Sequence, residues 1–223
     1  MPKNQINFHC NVEQILLLEK KIWRKKKDKP QSITTSNQII CNTSSDNIIR
    51  VWEITTGKCL NTLKGHQNEI KCLVWSLKTH ELISGSKDSN IKVWSLNANV
   101  CLRTLHGHFS SIECLILQEK MDLLISSSLD CRIKLWNIST GECLRTLESH
   151  RFWVKHLLYL PDEDRLVSSS GDDTLKIWNI NTGECISTLS DHSDYITCMV
   201  SILNRPKGRL KHNNKNRKSN PKI

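Results

Sequence analysis

Four tryptophans, Trp52, Trp94, Trp136 and Trp178, stand 42 residues apart, and three other residue types keep the same step. Asp46, Asp88, Asp130 and Asp172 each precede one of these tryptophans by six residues. His66, His108, His150 and His192 recur at the same interval, as do Cys59, Cys101, Cys143 and Cys185. A period held by four residue types without insertion or deletion means one structural unit repeated, each copy burying its apolar surface against the next.

Within a period the apolar pattern is that of strands. IKCLVW, ELISGS, IKVWSL and VCLRTL are four short runs separated by polar or turn-forming residues. They recur as IECLIL, LLISSS, IKLWNI and ECLRTL, then as VKHLLYL, RLVSSS, LKIWNI and ECISTL. Thr56-Gly57, Thr140-Gly141 and Thr182-Gly183 separate the third and fourth runs, where glycine fits a tight hairpin needing positive φ. The second unit has Asn97-Ala98-Asn99 there, and Asn also tolerates the left-handed region.

Four antiparallel strands per period, with Gly-His before and a Trp-Asp-like pair after, resemble the WD-repeat family of β-propellers. Lys64-Gly65-His66 and His106-Gly107-His108 carry the Gly-His element, reduced to Ser149-His150 and Asp191-His192. The Trp-Asp pair reads Trp52-Glu53, Trp94-Ser95, Trp136-Asn137 and Trp178-Asn179. The likeness covers roughly residues 38–201. It implies an all-β fold, an incomplete propeller arc of about four blades, each a four-stranded antiparallel sheet. The blades are expected over about 38–64, 66–106, 108–148 and 150–190, with a partial blade from 192, inside a 31–202 domain. Residues 1–30 are expected to hold a short helix over 11–27 and a basic cluster, and 203–223 a disordered basic tail. The first unit is degenerate, with Arg24 and Asn42 where His and Ser recur. Three complete units, one weak and one begun are too few for this family's usual ring, so the chain resembles a fragment or a truncated form.

The net charge of +10 divides unevenly. Residues 1–30 carry +5, residues 31–202 carry −3 and residues 203–223 carry +8. Weak nucleic-acid contact is therefore expected from the tails and not from the repeats. No stretch approaches the ~20 apolar residues of a membrane helix, and MPKNQINFHC opens no secretory signal. With ten cysteines and no Cys-x-x-Cys pair, reduced thiols in the cytosol or nucleus are expected, with no metal, no cofactor and no membrane partner. The periodic cysteines read as small buried hydrophobes.

One constellation mimics a hydrolase triad: His66, Ser84, Asp88; His108, Ser126, Asp130; and His150, Ser168, Asp172. It occurs three times at one spacing, always with a fourth member, Trp94, Trp136 or Trp178, and no Gly-x-Ser-x-Gly elbow is near. Repetition favours a buried structural network over catalysis, and the resemblance implies a hydrogen-bonded chain from Trp through Ser and His to Asp. The resemblance also implies partner binding on the face carrying the His and Asp turns. Positions there that differ between units are Glu69, Lys71, Lys87, Ser111, Glu113, Leu129, Trp153, Lys155 and Tyr195, with Arg151 beside Trp153. Phe152 reads better as packing between units.

The expected function is a protein–protein interaction scaffold that is not an enzyme. The alternatives are a substrate-receptor subunit of a ubiquitin ligase, and a component of an RNA or chromatin complex using the basic tails. The uncovered apolar side of the last full unit, read from Leu157, Leu158 and Ile177, leads us to expect self-association.

Overall fold

The computed structural model describes residues 39–161 and 163–200, without the side chains of Ile40 and Asn42. The helix expected over 11–27, Arg24 and the 203–223 tail lie outside the described residues.

Among the described residues fifteen strands form four antiparallel sheets, joined in chain order. Blade 1 has three described strands, β1 (Ile39–Thr43), β2 (Ile48–Glu53) and β3 (Lys58–Lys64). Blade 2 comprises β4 (Ile70–Ser76), β5 (Glu81–Ser86), β6 (Ile91–Ser95) and β7 (Val100–Leu105). Blade 3 comprises β8 (Ile112–Gln118), β9 (Leu123–Ser128), β10 (Arg132–Asn137) and β11 (Cys143–Glu148). Blade 4 comprises β12 (Val154–Leu160), β13 (Arg165–Ser170), β14 (Leu175–Asn179) and β15 (Cys185–Leu189). Each blade is an up-and-down meander whose neighbouring strands are consecutive in sequence.

Three apolar clusters glue the blades together. Ile49 and Leu63 of blade 1 meet Ile70, Leu82 and Trp94 of blade 2. Ile83, Ile91, Val93 and Leu105 of blade 2 meet Leu115, Leu124, Trp136 and Ile138 of blade 3. Ile125, Ile133, Leu135 and Leu147 of blade 3 meet Leu157, Leu166, Trp178 and Ile180 of blade 4. Each interior sheet thus buries both faces, which is why its strands read as near-continuous apolar runs. Leu157, assigned from sequence to the uncovered side of blade 4, faces blade 3 instead. The first strand changes register between Val154 and His156, so simple alternation places the residues after it on the wrong face.

The turns follow from local chemistry. Gly57, Gly141 and Gly183 adopt φ of 68°, 81° and 84°, and Asn99 takes 57° at the equivalent corner of blade 2. In blades 2, 3 and 4 the residue after the periodic Trp caps this turn. Ser95 Oγ accepts from Ala98 N–H (3.1 Å), Asn137 Oδ1 from Thr140 N–H (2.8 Å), and Asn179 Oδ1 from Thr182 N–H (3.1 Å). Any short side chain with an acceptor does this work, which explains why Asp is dispensable there.

Two expectations fail in this region. Residues 192–200, read as the first strand of a further blade, hold no strand. Among the described residues none beyond Leu189 forms a strand that could pair with them. The periodic cysteines are not uniformly buried either, since Cys101 and Cys143 are exposed. They sit opposite Trp94 and Trp136 at a register shift in the outer strand, which has solvent on its free edge.

Candidate functional site

In blades 2, 3 and 4 the turn between the second and third strands lies beside the loop that enters the blade, and a buried chain of side chains ties the two. Trp94 Nε1–H donates to Ser84 Oγ (2.8 Å), which lies 2.7 Å from His66 Nε2. His66 Nδ1 lies 2.7 Å from Asp88 Oδ2. The indole can only donate and the carboxylate can only accept, so the protons run one way, from Trp through Ser and neutral His to Asp. Blade 3 repeats this with Trp136, Ser126, His108 and Asp130 at 2.8, 2.8 and 2.7 Å. Blade 4 repeats it with Trp178, Ser168, His150 and Asp172 at 2.8, 2.7 and 2.9 Å.

Each Asp also accepts the N–H of the residue after His, from Gln67 (2.8 Å), Phe109 (3.0 Å) and Arg151 (2.9 Å). Burial holds His66 and His150 below the ordinary histidine value, against the opposing pull of Asp88 and Asp172. Burial pushes Asp172 up, but the Thr174 hydroxyl, the Arg151 N–H and His150 outweigh it and bring it down to about 2. The ion–dipole chain is thus complete without a charged imidazole.

Two further repeated devices escaped the sequence reading, although both kept the 42-residue step. Ser86, Ser128 and Ser170 donate to the carbonyls of Asn68, Ser110 and Phe152 and accept the N–H of Asp88, Asp130 and Asp172. Lys92, Lys134 and Lys176 donate to Thr104, Thr146 and Thr188 at 2.8, 2.8 and 2.9 Å, pinning the third strand to the outer one.

Catalysis by these serines has no geometric support. Ser84, Ser126 and Ser168 are fully buried, and each hydroxyl already holds a Trp and a His. Ser84→Ala, Ser126→Ala and Ser168→Ala, each leaving a buried indole N–H unpaired, should give three similar losses of about 1–3 kcal/mol in urea unfolding. A hydrolytic activity abolished by one of the three alone would contradict the structural role.

The positions expected from sequence to face partners fall into two neighbourhoods. On blades 2 and 3, Lys87 Nζ pairs with Glu69 (2.5 Å), and Lys71 reaches the same carboxylate at 3.4 Å. Ser111 is buried and donates to Glu113 (2.6 Å), so it is a support for that carboxylate and not a presented contact. On blade 4, Phe152 and Trp153 lie against each other with centroids 4.2 Å apart and planes tilted by 50°, and remain 46% and 37% exposed. Phe152 therefore does not pack between blades. The pair lies on the backbone of Gly171, where a Cβ would meet Trp153 Nε1 and come within 2.6 Å of Phe152. Gly171 N–H donates to the Trp153 carbonyl (2.9 Å), which fixes the loop under the rings. Lys155 Nζ stands 6.0 Å from the exposed Tyr195 ring, and Leu129 is also exposed. Phe109, unremarked in sequence, is 78% exposed with the Arg132 guanidinium 5.6 Å from its ring. Among the described residues no group of His, Cys, Asp or Glu has the arrangement of a metal site, and no helix is long and apolar enough to cross a membrane.

Comparison with known proteins agrees with this geometry. The family model for the WD domain, G-beta repeat, matches residues 57–95, 99–137 and 141–179. Nuclear distribution protein PAC1 of Mycosarcoma maydis is 36% identical over 56 residues, 25% of this chain and 12% of that protein. Periodic tryptophan protein 2 of Saccharomyces cerevisiae is 36% identical over 56 residues, 25% of this chain and 6% of that protein. F-box/WD repeat-containing protein A of Dictyostelium discoideum is 33% identical over 70 residues, 31% of this chain and 5% of that protein. The chain thus spans a small part of the length of the curated relatives it matches.

Proposed function

The chain belongs to the WD40 repeat family, and from that premise we propose that it is a protein-interaction scaffold whose partners dock on the His- and Asp-turn face of blade 4. The observation that carries this reading is the Phe152–Trp153 pair. Two large rings stay half in water, tilted against each other and seated on a glycine that leaves them room. Aromatic and Arg side chains dominate interface energetics, and here Arg151 and Lys155 flank the rings. The buried chain from Trp178 to Asp172 holds the loop beneath them, so the surface is rigid before a partner arrives, which lowers the ordering cost of binding. The mixed Glu69, Lys71 and Lys87 group supplies polar selectivity on the same face at blade 2.

The test is affinity purification with the full chain, followed by titration of the recovered partner. Trp153→Ala should weaken binding at least tenfold and leave the thermal melt unchanged. Unchanged affinity there, with loss on Leu144→Ala at the outer strand of blade 3, would move the interface to the rim.

A second reading is a substrate-receptor subunit of a ubiquitin ligase, favoured by the likeness to an F-box/WD repeat-containing protein. Co-purification of ligase subunits with the wild-type chain would support it. Steeply salt-dependent binding would instead favour a nucleic-acid-associated role for the basic ends.

A further inference from the structure

One backbone hydrogen bond recurs in blades 2, 3 and 4 and fixes a pair of turn-face positions side by side. Lys87 N–H donates to the Glu69 carbonyl (2.8 Å), Leu129 N–H to that of Ser111 (2.9 Å) and Gly171 N–H to that of Trp153 (2.9 Å). Just beyond, the first strand of each blade shifts register, between Ile70 and Cys72, Ile112 and Cys114, and Val154 and His156. The residue in between, Lys71, Glu113 or Lys155, is a bulge, a device that re-aims a side chain out of the ladder. The frame is thus the same three times, and only the side chains mounted on it differ.

In blade 2 those side chains neutralise each other, since Glu69 takes both Lys87 (2.5 Å) and Lys71 (3.4 Å). In blade 3 the bulged residue is an acid, Glu113, and the Ser111 hydroxyl donates to it (2.6 Å). Blade 4 keeps a lysine at the bulge but has Trp153 where blade 2 has its acid, and Gly171 where blade 2 has its second lysine. Lys155 therefore has no carboxylate within its own frame. Among the described residues neither Lys155 nor Arg151 forms an ion pair. The Lys155 ammonium stands 6.0 Å from the centroid of the Tyr195 ring. Asp194, next to that tyrosine, turns Oδ1 to the Tyr195 N–H (2.7 Å). Blade 4 thus presents a cation among exposed rings at the place where blade 2 balances its cations from within.

On the premise that partners dock at Trp153, we infer that the docking segment is an acidic peptide. One Asp or Glu carboxylate pairs with Lys155, while an apolar side chain close to it in the peptide lies on Trp153 and Phe152. Trp153 and Lys155 are at most about 7 Å apart along the chain, so acid and apolar anchor fall about two residues apart in an extended segment. A basic segment would meet like charge from Arg151 and Lys155. A nucleic-acid strand, with a phosphate at every step, would run onto Glu113 on the adjacent first strand of blade 3.

The test is selection of short random peptides displayed against the full chain, then anisotropy titration of the best labelled peptide. The enriched peptides should carry Asp or Glu beside a Leu, Phe or Trp. Lys155→Glu should weaken the acidic peptide at least about tenfold, with the thermal melt unchanged. The same peptide with its acid replaced by Lys should bind Lys155→Glu and fail on the wild type, a rescue that a merely misfolded variant cannot give. Apolar peptides without an acid, lost on Trp153→Ala, would overturn the acidic partner and leave docking at Trp153 standing. Acidic peptides indifferent to Lys155→Glu overturn the proposal, as does a selection that enriches nothing. An oligothymidylate probe that displaces the peptide and is itself lost on Lys155→Glu also overturns it, in favour of a nucleic-acid ligand.

Discussion

Trp136→Ala is expected to lower the unfolding free energy by about 3–5 kcal/mol, among the largest losses that a single truncation of this chain produces. Trp136 is 1% exposed and packs with Leu124, Ile138 and Leu115 where blades 2 and 3 meet. Its removal opens a void that neither sheet collapses into, since both are fixed by neighbours on their other faces. The loss of Nε1–H also leaves the Ser126 hydroxyl without its donor in a buried site, adding a desolvation penalty. Gly107 approaches so closely that even a Cβ there would come within 3.1 Å of the indole, so the ring and the entering loop fit as a pair. Trp52→Ala provides the internal comparison. It is the same residue at the same register position, opposite Cys59 as Trp136 is opposite Cys143, but it is half-buried and its blade carries Asn42 in place of Ser. Urea unfolding followed by circular dichroism should therefore rank Trp136→Ala well above Trp52→Ala. Equal losses would mean that the tryptophan contributes only within its own sheet and that the stacking between blades has been overvalued.

The repeat was legible because its period is carried by residues that a β-meander with a buried polar chain requires at fixed places. Trp, Ser, His and Asp each fill a role that a substitute leaves unpaired, so their spacing survives where the Asp of the Trp-Asp pair does not. What sequence could not supply was the facing of residues beyond a local irregularity. Leu157 lies three residues past Val154, yet both are buried, because the strand shifts register between them. Exposure of Cys101 and Cys143 depended on the outer strand having a free edge, which periodicity alone does not reveal. For the candidate partner surface, the residue types at Phe152 and Trp153 were visible, but their posture was not. Whether two adjacent aromatics bury between blades or lie against each other in solvent turned on Gly171, distant in sequence and under the rings in space. Phe109 was overlooked because it follows His108 where the other units have Gln67 and Arg151, so no period drew attention to it. The expected helix over 11–27 lies outside the described residues.

The sharpest separation of local from neighbouring stabilisation comes from one leucine position in two blades. Leu147 and Leu189 are 42 residues apart, each at the same step of its outer strand, and they pair across to Ile133 and Leu175 respectively. Leu147 is 2% exposed because blade 4 lies over it, with Ile180 and Leu157 in the same cluster. Truncating it to Ala removes buried methyl groups and leaves a cavity, so a loss of about 2–5 kcal/mol is expected. Leu189 is 47% exposed, so much less of its surface is withdrawn from water within one chain, and Leu189→Ala should cost less than about 1 kcal/mol. Chemical unfolding should show a steep loss for Leu147→Ala and a near-null one for Leu189→Ala, because among the described residues only the first has a blade against it. A Leu189→Ala loss as large as that of Leu147→Ala would mean that the forward face of blade 4 is covered, and that stacking between blades does not set the difference.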